Sequence, residues 1–410
     1  VSTLRRLFVA AALAARPALP LAAAALTVTA CGGKSTKKVK KPTSKADTLS
    51  VAVMLQAART AAAAGDVATA DAKYREAEKA ELTLDTVKEH VALLVKHDRA
   101  ADAVGVAKGY YEAKPSDSNG SLVYANALIS AGEFATAIEI AGEVVDLQGT
   151  NPAGFDARGR ALVGAGRADE GLEDLRKAVE LAPQEFEYQL AYGIGLEKAA
   201  KVDEAALTLR SALKLKPDEP RALMHLGIVR RAQFEVKEGV GYLMQAVRID
   251  PNLAEAWFNL AIAQNDMGDN VEAENSASKA TALAPHVGTY AYVYGEMLRI
   301  NKKVDEAKAA YQKALDATPP HPKAAVKLAL VLYDAGQYAE AEVFLTDMLG
   351  KDPGNASLYY NLGWVYSAQK KYKLGVDAFE KYLSLAPKDD SDRGKANAEI
   401  KSLKKKGGIR

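Results

Sequence analysis

Cysteine is almost absent. Cys31 is the only one in 410 residues, which excludes an internal disulfide and a thiolate cage for a metal. Histidine is scarce too. His90, His97, His225, His286 and His321 include no H-E-x-x-H pair, the helical spacing that brings two imidazoles to one metal ion. There is no G-x-S-x-G elbow and no dinucleotide-binding glycine fingerprint. Gly33-Lys34-Ser35 ends like a phosphate loop, but the first glycine of that motif would fall on Val28. Asp117-Ser118-Asn119-Gly120 starts like a calcium loop and lacks the later ligands and closing glutamate. The chain is therefore expected to be no enzyme, with no cofactor and no metal.

Acidic residues are missing from both ends. Residues 1–46 hold nine Lys or Arg and no acid, and residues 401–410 hold five and no acid. The stretch 47–400 between them carries a net charge of −12. Such a body suits nucleic acid poorly, because phosphate neutralisation needs a positive face. Long hydrophobic runs are also missing. The longest near the N-terminus, residues 18–30, is too short to span a bilayer as a helix. It follows Arg5, Arg6 and Arg16, the layout of a secretory signal, and Val1 reads as a non-standard start. Val28-Thr29-Ala30-Cys31 resembles the lipobox of bacterial lipoproteins. That resemblance implies cleavage after residue 30 and diacylglyceryl and acyl groups on Cys31, a membrane anchor of nearly permanent hold. A plain cleavable signal with an incidental cysteine is the alternative. Arg5-Arg6-Leu7-Phe8 only faintly resembles a twin-arginine signal, so the Sec route is favoured. In the lipoprotein family Gly32, where enteric bacteria use aspartate for inner-membrane retention, favours the outer membrane. Residues 31–49, rich in lysine, are expected to be a flexible tether.

Proline is sparse but regular. Pro115, Pro183, Pro217, Pro251, Pro285, Pro319, Pro353 and Pro387 are spaced by 34 residues from Pro183 onward, and Gly149 fills the gap before it. A fixed period of this length marks a solenoid. With the proline as residue 32 of each period, position 8 is Gly159, Gly193, Gly227, Ala261, Gly295, Ala329 and Gly363 in periods four to ten. Position 20 is equally small, with Ala137, Gly171, Ala205, Gly239, Ala273 and Gly375 among its nine residues. Glycine inside a helix costs up to about 1 kcal/mol against alanine. Its recurrence makes sense where paired helices cross closely. Ala254 to Val287, with Trp257, Leu260, Ala273 and Ala280, and the stretch Tyr359 to Tyr366 resemble the tetratricopeptide repeat. The resemblance implies an all-α, right-handed solenoid of helix-turn-helix units. Ten repeats fill residues 50–387, the first shifted by one residue, and a capping helix and basic tail fill 388–410.

In that family the inner helix of each repeat lines a groove through positions 2, 5, 9 and 12. Carried over by register, position 5 gives Leu190, Met224, Phe258, Tyr292, Val326 and Tyr360. Position 9 gives Ile194, Ile228, Ile262, Glu296, Leu330 and Trp364. A mostly apolar stripe there is expected to be an open partner-binding surface. Asn259 and Asn361 at position 6 and Arg231 and Arg299 at position 12 complete the candidate groove. The alternative is a superhelix wound tightly enough to bury the stripe. Lysine and asparagine at the places that grip a C-terminal carboxylate in some family members are not assembled here. His90 falls at a core-facing position, and His286 and His321 fall in inter-repeat turns.

The combination resembles lipid-anchored repeat proteins of the Gram-negative envelope, including pilotin-type and outer-membrane assembly lipoproteins. The expected function is a periplasm-facing scaffold that binds a protein client in its groove and supports an outer-membrane or pilus/secretion complex. The alternatives are a contact activator of a cell-wall synthase or hydrolase, and a peptidoglycan- or carbohydrate-binding protein.

Overall fold

A computed structural model describes residues 45–409. The described residues form twenty-one helices and no strand. They fall into two compact units, one ending at Pro217 and the other starting at Asp218.

The first unit contains α1 (Lys45–Ala63), α2 (Val67–Ala80), α3 (Leu84–Lys96), α4 (Ala100–Ala113), α5 (Ser118–Ala131), α6 (Phe134–Leu147), α7 (Pro152–Gly164), α8 (Ala168–Leu181), α9 (Phe186–Lys198) and α10 (Val202–Leu215). The second contains α11 (Pro220–Ala232), α12 (Val236–Ile249), α13 (Ala254–Met267), α14 (Asn270–Leu283), α15 (Gly288–Ile300), α16 (Val304–Asp316), α17 (Ala324–Asp334), α18 (Tyr338–Lys351), α19 (Ala356–Ala368), α20 (Tyr372–Leu385) and α21 (Arg393–Gly407). Each unit is a solenoid of antiparallel hairpins, in which every helix packs on the next in sequence. The odd-numbered helices also touch one another across hairpins: α3 on α5, α5 on α7 and α7 on α9, then α11 on α13, α13 on α15 and α17 on α19. They form an inner layer and the even-numbered helices an outer one.

One expectation is corrected at the start of α1. Residues 45–49, assigned to the flexible tether, are helical. Neither glycine nor proline occurs between Lys45 and Ala63, and alanine and leucine recur throughout, so nothing stops the helix from extending back to Lys45.

A left-handed residue closes each hairpin. In the first unit these are Gly65, Asp98, Gly132, Gly166 and Ala200, and in the second Phe234, Gly268, Lys302, Gly336 and Lys370. The next residue donates its backbone N–H to a carbonyl five residues back, as Glu133 does to Leu128 and Glu235 to Arg230. This is the Schellman termination, which returns hydrogen bonds to the helix's last carbonyls. Phe234 is the costly member of the set. Its φ is +66° and its side chain is 84% exposed, so the ring offsets little of the left-handed strain. Phe234→Gly is expected to stabilise the second unit by about 1 kcal/mol, read as a higher urea midpoint at unchanged slope.

The small residues sit where hairpins close tightest. A Cβ on Gly171 would lie 2.6 Å from the Gly159 carbonyl oxygen, and one on Gly239 would lie 2.8 Å from that of Gly227. At Gly295 and Gly363 the space is filled instead by the rings of Tyr311 and Phe379. At the far end, Ala396, Ile400 and Leu403 of α21 cover Val376, Phe379 and Tyr382 of α20. The last hairpin therefore has an apolar partner on its outward side.

Candidate functional site

The inner helices of the second unit carry most of the residues expected in the groove. Their burial changes along the unit. Met224, Arg231, Phe258, Asn259 and Ile262, expected on an open surface, are buried. The reason is direct packing between α11, α13 and α15. The Phe258 ring is covered by Tyr290 of α15, with centroids 4.9 Å apart. Arg231 is not available to an acidic partner, because its guanidinium meets Asp266 at 2.7 Å. Asn259 turns back on its own helix and donates to the Glu255 carbonyl. The open part of the stripe begins later. Tyr292 and Arg299 on α15, Val326 and Leu330 on α17, and Tyr360, Asn361 and Trp364 on α19 are half-buried, as is Ile228 on α11. Trp364 and Tyr360 stand edge-on to Phe379, which fixes their orientation from beneath.

Beneath Tyr292 lies a polar cluster. Glu296 on α15 is 2% exposed. Its carboxylate accepts hydrogen bonds from the Tyr311 hydroxyl, from Lys327 Nζ at 3.1 Å and from Arg299 at 3.2 Å. Burial alone would raise the Glu296 pKa, but Lys327, Tyr311 and Arg299 outweigh it and hold the carboxyl below its ordinary range. His321, in the α16–α17 connection, stacks on Tyr292 with centroids 4.0 Å apart. Burial, with Lys323 nearby, pulls its pKa down to about 4, so the imidazole is neutral at pH 7. Its Nδ1 and the Nε of Arg299 are buried without a hydrogen-bond partner. The sequence held a signal for this cluster. Glu296 takes position 9, where the neighbouring repeats carry Ile262 and Leu330.

The inner surface of the first unit is more polar. Asp156 on α7 is buried, and its Oδ2 accepts from Arg160 at 2.8 Å. Arg160 reaches on to Asn126 of α5 at 2.5 Å. Nearer the N-terminus His90 is fully buried, as its core-facing position implies. Its ring nitrogens lie 2.8 Å from Glu78 and 2.9 Å from Asp71, and the ring stacks on Tyr74. Asp71 also pairs with Arg75 and Arg99. The His90 partners Asp71, Tyr74 and Glu78 escaped sequence reasoning because they come from α2, in the irregular first repeat. Among the described residues no group of three His, Asp or Glu side chains is placed to hold a metal ion. Cys31 lies outside the described residues.

A periodic stack of helix hairpins with an inner and an outer layer defines a helical-repeat protein. The family follows from the comparisons: this chain belongs to the tetratricopeptide-repeat proteins. One tetratricopeptide-repeat family model matches residues 157–220, 193–254 and 258–322, and a second matches 298–362 and 332–404. Human tetratricopeptide repeat protein 7B is 29% identical over 119 residues, 29% of this chain and 14% of that protein. Human protein O-mannosyl-transferase TMTC1 is 30% identical over 123 residues, 30% of this chain and 14% of that protein. The chain thus spans about a seventh of the length of these relatives. Among solved structures, that of the APC/C hetero-tetramer Cut9-Hcn1 is similar with a TM-score of 0.49 at 15% identity, covering 87% of this chain and 76% of that one. The human IFIT1 dimer with PPP-AAAA is similar with a TM-score of 0.48 at 14% identity, covering 82% and 91%. Likenesses this slight carry no argument about function.

Proposed function

We propose that the protein is a non-catalytic scaffold that holds a segment of a protein client against α15, α17 and α19. One observation carries the reading. Tyr292, Val326, Leu330, Tyr360 and Trp364 form a large apolar face that neighbouring helices leave half-open, whereas the equivalent Met224, Phe258 and Ile262 are sealed. Apolar surface left in water is destabilising by about 25 cal/mol per Å² relative to burial, so a partner that covers this face gains from it. TMTC1 is named a transferase, but its shared stretch is 14% of its length, and no transferase activity is carried over.

The proposal extends to the chain's place in the cell. The lipobox-like Val28–Cys31, the basic leader and the lysine-rich stretch after it support a lipid anchor on Cys31, facing the periplasm from the outer membrane. A client there belongs to the cell envelope, with assembly of an outer-membrane or pilus/secretion complex as the service performed. Among the described residues no helix is long and apolar enough to cross a membrane. Cys31→Ser is expected to abolish incorporation of a clickable palmitate analogue and to move the protein from membrane to soluble fractions. Unchanged labelling and sedimentation would refute the anchor.

Client contact is tested by a photoreactive residue in place of Tyr292, with Val343 on α18, 71% exposed, as the outer-layer comparison. One envelope protein crosslinked from 292 and not from 343 is the expected result in living cells. The same background from both positions would remove the groove reading.

A further inference from the structure

The fold treats the chain's two tryptophans differently. Trp257 donates its indole N–H to the Pro251 carbonyl at 2.9 Å, as an indole held for packing does. Trp364, on the half-open face of α19, is half-buried, and its indole N–H meets no acceptor among the described residues. The tyrosines divide in the same way. The hydroxyls of Tyr110, Tyr311 and Tyr382 donate to Asp117, Glu296 and Asp390. Those of Tyr292 and Tyr360 have no partner among the described residues, and neither they nor the Trp364 N–H is sealed from water.

Packing fixes the two α19 rings. Tyr360 and Trp364 have centroids 6.1 Å apart and planes at 80°. Both stand edge-on to Phe379, at 5.8 and 5.5 Å, and Tyr360 lies 5.0 Å from Tyr382. α17 packs directly on α19 and carries the half-buried Val326 and Leu330. The face therefore offers held apolar planes tipped with hydrogen-bond donors. Glu296, its buried carboxylate, already accepts from Tyr311, Lys327 and Arg299, and an indole N–H can only donate. Such a face suits an occupant with carbonyl oxygens in excess of N–H groups. A helix returns its carbonyls to its own N–H groups, and an ordinary extended strand brings one N–H with each carbonyl. A sugar hydroxyl donates as readily as it accepts. Proline has the carbonyl and no N–H. Spacing agrees with it: polyproline II advances about 3.1 Å per residue, so prolines three residues apart recur about every 9 Å. Packed helices lie about 8–10 Å apart, so one such step leads from α17 to α19.

We propose that the client segment held here is proline-rich and binds as a polyproline II helix, crossing α17 and α19 with prolines three residues apart. One proline packs on Val326 and Leu330 and the next on Tyr360 and Trp364. The Trp364 N–H donates to a carbonyl of the segment, and the Tyr360 hydroxyl is open to a second. The assignment rests on client capture at this face and adds the chemistry of the client. Polyproline II is already extended before it binds, so little ordering opposes its capture.

The test uses the full chain and fluorescently labelled ligands followed by anisotropy. These are end-blocked peptides of equal length, an oligoproline, an alanine-rich helix and an alternating glycine-serine chain, together with an N-acetylglucosamine oligomer. Oligoproline is expected to bind saturably and the other three at least about tenfold more weakly. Trp364→Ala is expected to weaken oligoproline binding about tenfold or more. Trp364→Phe keeps a ring on Phe379 and removes the N–H. It is expected to weaken binding about fivefold, and it keeps the test readable if the alanine variant misfolds. Val343→Ser, on the outer helix α18 and exposed, is expected to change binding less than about twofold. Absence of oligoproline binding, equal binding of all the peptides, or equal weakening by Trp364→Ala and Val343→Ser would overturn the proposal. Tighter binding of the N-acetylglucosamine oligomer would overturn it in favour of a glycan. One envelope protein still crosslinked from position 292 in any of these cases would leave client capture standing, so the two readings fail separately.

Discussion

Gly171→Val is expected to unfold the α7–α8 hairpin and with it much of the first unit's cooperative transition. A Cβ at this position would stand 2.6 Å from the Gly159 carbonyl oxygen, 2.9 Å from a Val163 methyl and 3.1 Å from the Val163 nitrogen. Two of these three atoms are backbone, so no rotamer change can make room. Relief requires α7 and α8 to separate, which opens the contact between Gly159 and Leu175 as well. Overpacking of a core typically costs 1–3 kcal/mol, and an obstruction made of backbone belongs at the top of that range or above, at about 3 kcal/mol or more. In a stack where each hairpin is stabilised by its neighbours, the loss spreads to the adjoining interfaces. Gly109→Ala supplies the contrast. This glycine is exposed in α4 and a Cβ there meets nothing within 4 Å, so the substitution should stabilise by about 0.5–1 kcal/mol through helix propensity. Urea unfolding followed by circular dichroism reads both. Equal midpoints for the two variants would disprove close helix approach as the reason for the small residues.

Glu296→Ala is expected to destabilise the second unit by about 2–4 kcal/mol. The change leaves the fully buried Tyr311 hydroxyl without its acceptor and sets Lys327 and Arg299 side by side with no anion between them. Removing one partner of a buried charge pair costs about 3–5 kcal/mol, reduced here because Lys327 and Arg299 are partly in water. Glu296→Gln separates charge from shape. The folded-state pKa of Glu296 is lowered, so its contribution is complete above the unfolded value and is lost as pH falls through the folded one. The melting temperatures of the wild type and Glu296→Gln should therefore differ most near pH 7, and the difference should start to shrink only as pH falls below the ordinary glutamate value of about 4.3. A difference that stays constant below that value would place the effect of Glu296 in packing instead of charge.

The hairpin plan is legible from the residues because turns and crossings obey local rules. Proline cannot continue a helix, so Pro183, Pro217 and the rest of the series fall in the turns between hairpins. Gly132, Gly166, Gly268 and Gly336 supply left-handed closures at no steric cost. The same closure at Phe234 or Lys302 cannot be read from residue type, since those side chains ordinarily avoid it. It follows only from the period. The candidate groove was less legible, and the reason is geometric. Phe258 and Tyr292 share a register position, yet Phe258 is covered by Tyr290 while Tyr292 stays half-open over His321. That difference depends on how closely each inner helix lies against the next, and a 34-residue pattern does not encode it. Arg231 shows the same limit. Register places it on the groove, but its partner Asp266 comes from the next repeat.

The half-open face of α15, α17 and α19 is where a protein client is proposed to bind. Two of its aromatics can be removed at modest cost to folding, since Tyr292 and Trp364 are both half-buried. Interface aromatics commonly contribute about 2 kcal/mol each, so Tyr292→Ala with Trp364→Ala should weaken capture by more than about a hundredfold. The most direct measurement is affinity isolation from detergent-solubilised envelopes with the wild type and the double variant in parallel, quantified by mass spectrometry, with circular dichroism to confirm that both are folded. The expected result is one protein recovered with the wild type and lost with the folded variant. Identical recovery profiles would contradict client capture at this face.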